Sequence, residues 1–98
     1  MYAIYYAAEY DVVRLHAGQA PVPVEVGKTH RFVMTLAPAP LETIYTCLQG
    51  ENWSPHGEAR GLIRAAGVHH TSMSVGDLIA DGLRGRRWLV TPAGFQEM

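Results

Sequence analysis

HHTSMSVGDLIADG, residues 69–82, is the stretch on whose reading the fold turns. Ser74 followed by Asp77 resembles a helix N-cap with an acidic first turn, and Val75, Leu78 and Ile79 would then share one helical face. Gly76 and Gly82 leave such a helix only one or two turns. The alternative, adopted here, is a turn at Gly76-Asp77 and a strand through Leu78, Ile79 and Ala80. Asp81-Gly82 is then a hairpin turn signal, and RRWLVTP, residues 86–92, reads as the returning strand. On that strand Arg87 points opposite to Arg86 and Trp88, so Trp88 faces the core. Phe95 is expected to pack back on the sheet.

Upstream, Tyr2, Ile4, Tyr6, Ala8 and Tyr10 alternate with Ala3, Tyr5, Ala7 and Glu9. The β-rich residue types and the period of two predict a first strand reaching about Leu15. HAGQAPVPVEVGKT, residues 16–29, is a loop or irregular edge with weak alternation of Val22, Val24 and Val26. RFVMTLA, from Arg31 to Ala37, is a second strand. A helix follows: Pro40 suits the first helical position, Glu42 faces the positive end of the dipole, and Leu41, Ile44, Tyr45 and Leu48 form one stripe. Gly50 stands where a left-handed cap is expected. ENWSPHG is a loop carrying Trp53. GEARGLIRAAG, residues 57–67, reads as a short second helix with Leu62, Ile63 and Ala66 on one face and Gly67 as its cap, although Gly61 weakens it.

These elements predict one α+β domain over residues 1–98: three to five mostly antiparallel strands, one main helix packed on a face, and a C-terminal hairpin. The net charge of −1 supplies no global field toward DNA or an anionic membrane. The single cysteine, Cys47, allows no intrachain disulfide, so a reducing cytoplasm is expected. MYAIYYAAEYDVV lacks a basic leader and is broken by Glu9 and Asp11, so it reads as neither signal peptide nor membrane span.

The chemistry-bearing residues form no recognisable catalytic or metal motif. His69 and His70 would need His56, His30 or His16 as further ligands, yet no HxH, HxxxH or CxxC spacing occurs. Adjacent histidines on a strand point to opposite faces, which predicts one half-buried and one exposed imidazole. Cys47 lies near the C-terminal end of its helix, where the dipole opposes a thiolate, and is expected to pack at the edge of the helix face. Asp77, Asp81 and Glu58 have no flanking pattern that would position a substrate, and Asp77 is expected to accept backbone N–H groups in a turn. Ser72 and Ser74 lack a GxSxG elbow, and Gly76 and Gly82 belong to no phosphate-loop pattern. No cofactor and no enzymatic activity are expected.

Ser72-Met73-Ser74-Val75-Gly76-Asp77, then Leu78-Ile79, Asp81-Gly82, Trp88-Leu89-Val90 and Gly94-Phe95, resembles the pattern of YodL-like domains, small bacterial proteins carried by plasmids, phages and other mobile elements. Leu83-Arg84-Gly85 departs from that pattern as an insertion in the hairpin turn. The resemblance implies a compact α+β module found beside anti-restriction and plasmid-maintenance functions. Two function classes follow. One is a non-enzymatic protein-binding module, in its sharpest form an anti-CRISPR or anti-restriction inhibitor that occludes a restriction or CRISPR effector subunit, acting as monomer or homodimer, with Tyr5, Tyr6, Tyr10 and Trp53 as contact residues; the same rings read equally well as core. The other is a nucleic-acid-binding accessory protein using Arg84, Arg86 and Arg87 beside Trp88, by charge and stacking.

Overall fold

The computed structural model describes residues 1–8, 26–50, 53 and 56–98. In chain order the elements are β1 (Tyr2–Ala7), β2 (His30–Leu36), α1 (Leu41–Cys47), α2 (Glu58–Ala66), β3 (Leu78–Asp81), β4 (Arg86–Thr91) and β5 (Gly94–Glu97). The strands form a single sheet in the order β2-β1-β3-β4-β5, with every neighbouring pair antiparallel. This is the α+β architecture that the alternating and helical patterns predict. The continuation of β1 toward Leu15 and most of the segment from His16 to Thr29, including Val22 and Val24, lie outside the described residues.

Alternation along the strands divides the sheet into two faces. Ile4, Tyr6, Ile79, Trp88 and Val90 enter one core cluster with Ile44 and Leu48 from α1, Ile63 from α2, and Val68 and Met73. Tyr5 points the other way and sets its ring edge-on against Phe32, its register partner on β2, at 5.8 Å. The β1–β2 register slips between Ile4 and Tyr5, whose partners are Met34 and Phe32. Val33 is the extra residue of this bulge, and it joins the core while Phe32 turns outward. Leu78 and Leu89, paired across β3 and β4, are buried yet lie outside that cluster, on the face of Tyr5.

The helices are short, and each is anchored by two apolar residues one turn apart. In α1 these are Ile44 and the C-cap Leu48; in α2 they are Ala59 and Ile63. Pro40 is the N-cap of α1 and not its first helical residue, because its ψ of 142° is extended. The helix ends at Leu48 with φ −92°, so Gly50, at φ +59°, stands two residues beyond the observed C-cap and does not cap the helix as expected. Gly67 does cap α2 in the left-handed region at φ +75°: its N–H reaches the Arg64 carbonyl, and the Val68 N–H reaches that of Ile63. The apolar face of α2 is rotated from the expected one. Ala59 and Ile63 point inward and Leu62 is turned to solvent, since small Ala59 fits close under the helix.

The segment 69–82 resolves as a turn and a strand. Val75 and Gly76 turn, β3 begins at Leu78, and residues 82–85 form the hairpin loop, with the Asp81 carboxylate accepting the Leu83 and Arg84 N–H groups. His69 and His70 precede this turn in an irregular connection and not on a strand, with His70 half-buried and His69 exposed. Phe95 belongs to β5, a strand the sequence reading did not separate, and its ring meets Tyr45 of α1 edge-on at 6.3 Å. Among the described residues, no helix is long and apolar enough to cross a membrane.

Candidate functional site

The residues between α2 and β3 form a strap that is bonded to elements far away in the chain. Its hub is Asp77, whose side chain is closed to solvent. One carboxylate oxygen accepts the Ala7 N–H of β1 at 2.8 Å, and the other accepts the Ser74 N–H at 2.7 Å. His70 Nε2 lies 3.1 and 3.0 Å from the two oxygens. A buried carboxylate facing these donors can only accept, so Nε2 carries the proton. The His70 ring stacks on Tyr6 with centroids 4.6 Å apart and planes within 13°. Tyr6 in turn donates its phenol proton to the Thr71 carbonyl at 2.9 Å. Burial, reinforced by the negative charge of Asp77, pushes the Tyr6 phenol well above the usual tyrosine range.

A buried histidine, His30, also holds the strap. His30 Nε2 donates to the Gly76 carbonyl at 2.6 Å, which in the neutral ring makes Nδ1 the acceptor of the Thr29 hydroxyl at 3.0 Å. At the α1 end, Gln49 donates to the Met73 carbonyl at 3.1 Å and the Met73 N–H reaches Leu48. Ser72 Oγ accepts the Gly50 N–H at 2.6 Å, while Ser74 Oγ donates to the Ser72 carbonyl at 3.1 Å.

An imidazole fixed by a buried carboxylate is the orientation used by general bases and by metal-ligating histidines. Catalysis also needs a reacting partner, and a metal needs further ligands. The Ser72 and Ser74 hydroxyls are tied into backbone contacts. Among the described residues no group of three or more His, Cys, Asp or Glu side chains could hold a metal ion. The arrangement positions the strap. Asp77 does accept a backbone N–H of its own turn, as its position in the sequence suggests. Its bonds to Ala7 and His70 had no signal in the sequence, because they join residues that only the folded sheet brings together.

The residues expected at a contact surface separate. Tyr6 is a correction: its side chain is fully buried and its hydroxyl is bonded, so no partner can reach it. Tyr5 is half-buried beside exposed Phe32, which the sequence reading passed over. Trp53 is half-buried and packs against the core cluster, with its indole N–H lacking an acceptor among the described residues. Tyr10 lies outside the described residues. Cys47 is exposed, contrary to the packing role expected of it, because Ile44 and Leu48 take the buried side of α1.

The arginines also divide. Arg84 is exposed in the hairpin loop and Arg87 is exposed on β4. Arg86 is engaged, with its guanidinium bonding Glu97 at 2.6 and 3.2 Å and lying 4.9 Å from the Trp88 ring centroid. The bond to Arg86 holds the Glu97 carboxyl below the usual glutamate range. Trp88 faces the core as expected. Comparison of the chain with protein-family models, with curated proteins and with solved structures finds no match.

Proposed function

We propose that this domain is a non-enzymatic protein-binding module that occludes a surface of its partner through the aromatic edge made by Tyr5 and Phe32. The observation that carries this reading is Phe32. It is 50 % exposed on an edge strand, with Tyr5 buttressing its ring edge-on at 5.8 Å. A large apolar ring held rigid at the surface loses little side-chain entropy on binding, which is what a central interface anchor requires. Most of the polar chemistry of the strap is already occupied by internal bonds, which favours binding over catalysis. The resemblance of the C-terminal third to mobile-element proteins supports the sharper form, a cytoplasmic inhibitor of a restriction or CRISPR effector subunit. Nucleic-acid binding has less support, because Arg86 is held by Glu97 and Trp88.

The test uses purified restriction and CRISPR effector subunits in a pull-down against the full chain, with a plaquing assay in parallel. Retention of one subunit and restored phage plaquing are expected. Phe32→Glu should weaken retention roughly thirtyfold, the loss of one anchor worth about 2 kcal/mol. No retained subunit together with unchanged plaquing refutes the inhibitor. Full retention by the Phe32→Glu protein removes the aromatic edge as the contact.

A further inference from the structure

Both helices contribute to the core on one face of the sheet. On the other face the register sets two rows across the strands. Phe32, Tyr5, Leu78 and Leu89 form the first, and its last two members are buried. Thr35, Ala3, Ala80 and Arg87 form the second, and none of these is buried. Accessible ground therefore runs from the aromatic edge, past two alanines, to Arg87 on β4.

The charge at the far end of that ground is of one sign. Arg87 is exposed there, and Arg84 is exposed in the loop that ends the same hairpin. Neither side chain has an ion pair or a hydrogen bond among the described residues. The carboxylates of neighbouring strands are engaged elsewhere. Glu97, level with Trp88 on the helix side, binds Arg86, and Asp81 accepts the Leu83 and Arg84 N–H groups. Alternation thus separates a satisfied arginine, Arg86, from an unsatisfied one, Arg87, on opposite faces of the same strand. A free guanidinium at the rim of a contact surface attracts a carboxylate and speeds encounter with it.

We infer that the partner in the protein-binding reading, on which this rests, meets the domain across this face and not at the aromatic edge alone. It carries an apolar pocket for Phe32 and an acidic patch of Asp or Glu side chains facing Arg87. The two lie three strand spacings apart across the sheet and about three residues apart along it, roughly 17 Å. That span fits within the area of about 800 Å² that one protein contributes to a standard interface. Phe32 holds the complex once formed, and Arg87 steers its formation.

The experiment measures association and dissociation rates of the full chain with the purified restriction and CRISPR effector subunits, at low and at high salt. Association of the parent should slow as salt rises, because salt screens a rim charge. Arg87→Glu should slow association about tenfold at low salt, with a dissociation rate near the parent's. Phe32→Glu should act in the opposite manner, through faster dissociation. Arg87→Lys should keep the parent's association rate, and so should Arg64→Gln, an exposed change on α2. Association of Arg87→Glu at the parent's rate overturns the acidic patch and leaves the aromatic edge in place. An equal slowing in Arg64→Gln also overturns it, because any cation would then serve. If no subunit binds the parent chain, this surface falls together with the inhibitor reading.

Discussion

Replacing Asp77 by alanine tests the strap most directly. The carboxylate is fully buried and accepts two backbone N–H groups, from Ala7 at 2.8 Å and Ser74 at 2.7 Å, besides His70. Truncation leaves both N–H groups without an acceptor, at about 1–3 kcal/mol for each buried donor. The His70 side chain is 28 % exposed, so water replaces much of what that ring loses. The expected cost is about 3 kcal/mol or more, against a total stability of roughly 5–15 kcal/mol for a domain of this kind. At about 4–8 °C per kcal/mol for a chain of this size, the melting temperature should fall by roughly 12–24 °C. Asp77→Asn should cost less, about 2 kcal/mol, because the amide oxygen still accepts one N–H while the amide nitrogen faces the other donor. Urea unfolding followed by circular dichroism, with unchanged m-values, measures both. A loss below about 1 kcal/mol for Asp77→Ala would show that the two N–H groups find other acceptors, and would refute the hub.

The raised phenol of Tyr6 fixes a pH dependence. A group whose ionisation is opposed by the fold contributes stability that is complete below its unfolded pKa, about 10 for tyrosine, and is lost as pH rises beyond it. Stability should therefore fall above about pH 10 in the parent and fall less steeply in Tyr6→Phe, which itself loses about 1 kcal/mol at neutral pH with the bond to Thr71. The two glycines of α2 should respond with opposite signs in thermal melts. Gly61→Ala has open space around its Cβ and should stabilise by about 0.5–1 kcal/mol, whereas Gly67→Ala, at φ +75°, should destabilise by about 1 kcal/mol. Arg86→Ala should shift Trp88 fluorescence to the red by uncovering the indole.

Much of the fold was legible because short-range rules decided it. Gly76 and Gly82 exclude a long helix between them, and Asp81-Gly82 announces the hairpin that follows β3. The spacing of Ile44 and Leu48 fixes the buried side of α1. The rest depended on which surfaces meet. Period-two alternation separates Tyr5 from Tyr6 but does not say which of the two is covered, so both appeared as candidate contacts. In α2 the small Ala59 carries a weak apolar signal, and the stripe was centred one residue away from where it lies. Strand β5 has four residues and follows a turn with Pro92, too little for a periodic pattern. The bonds of Asp77 to Ala7 and His70 depend on the strap folding back onto β1, a tertiary relation without local trace.

The place of β1 between β2 and β3 has a consequence for how the chain is made. Its two neighbours come from opposite halves of the sequence, and the Ala7 to Asp77 bond spans 70 residues. As the polypeptide leaves the ribosome, β1 can pair with β2 early, but its other edge stays open until β3, more than seventy residues downstream, has been synthesised. Contacts of such long range place folding toward the slow end for a small domain, because the loop must close before the sheet repays it. During that interval a tyrosine-rich strand carries an unpaired edge, which is when it is most exposed to wrong pairing with another chain. Yield at high expression should therefore depend more on the speed with which β3 docks than on the stability of the finished domain.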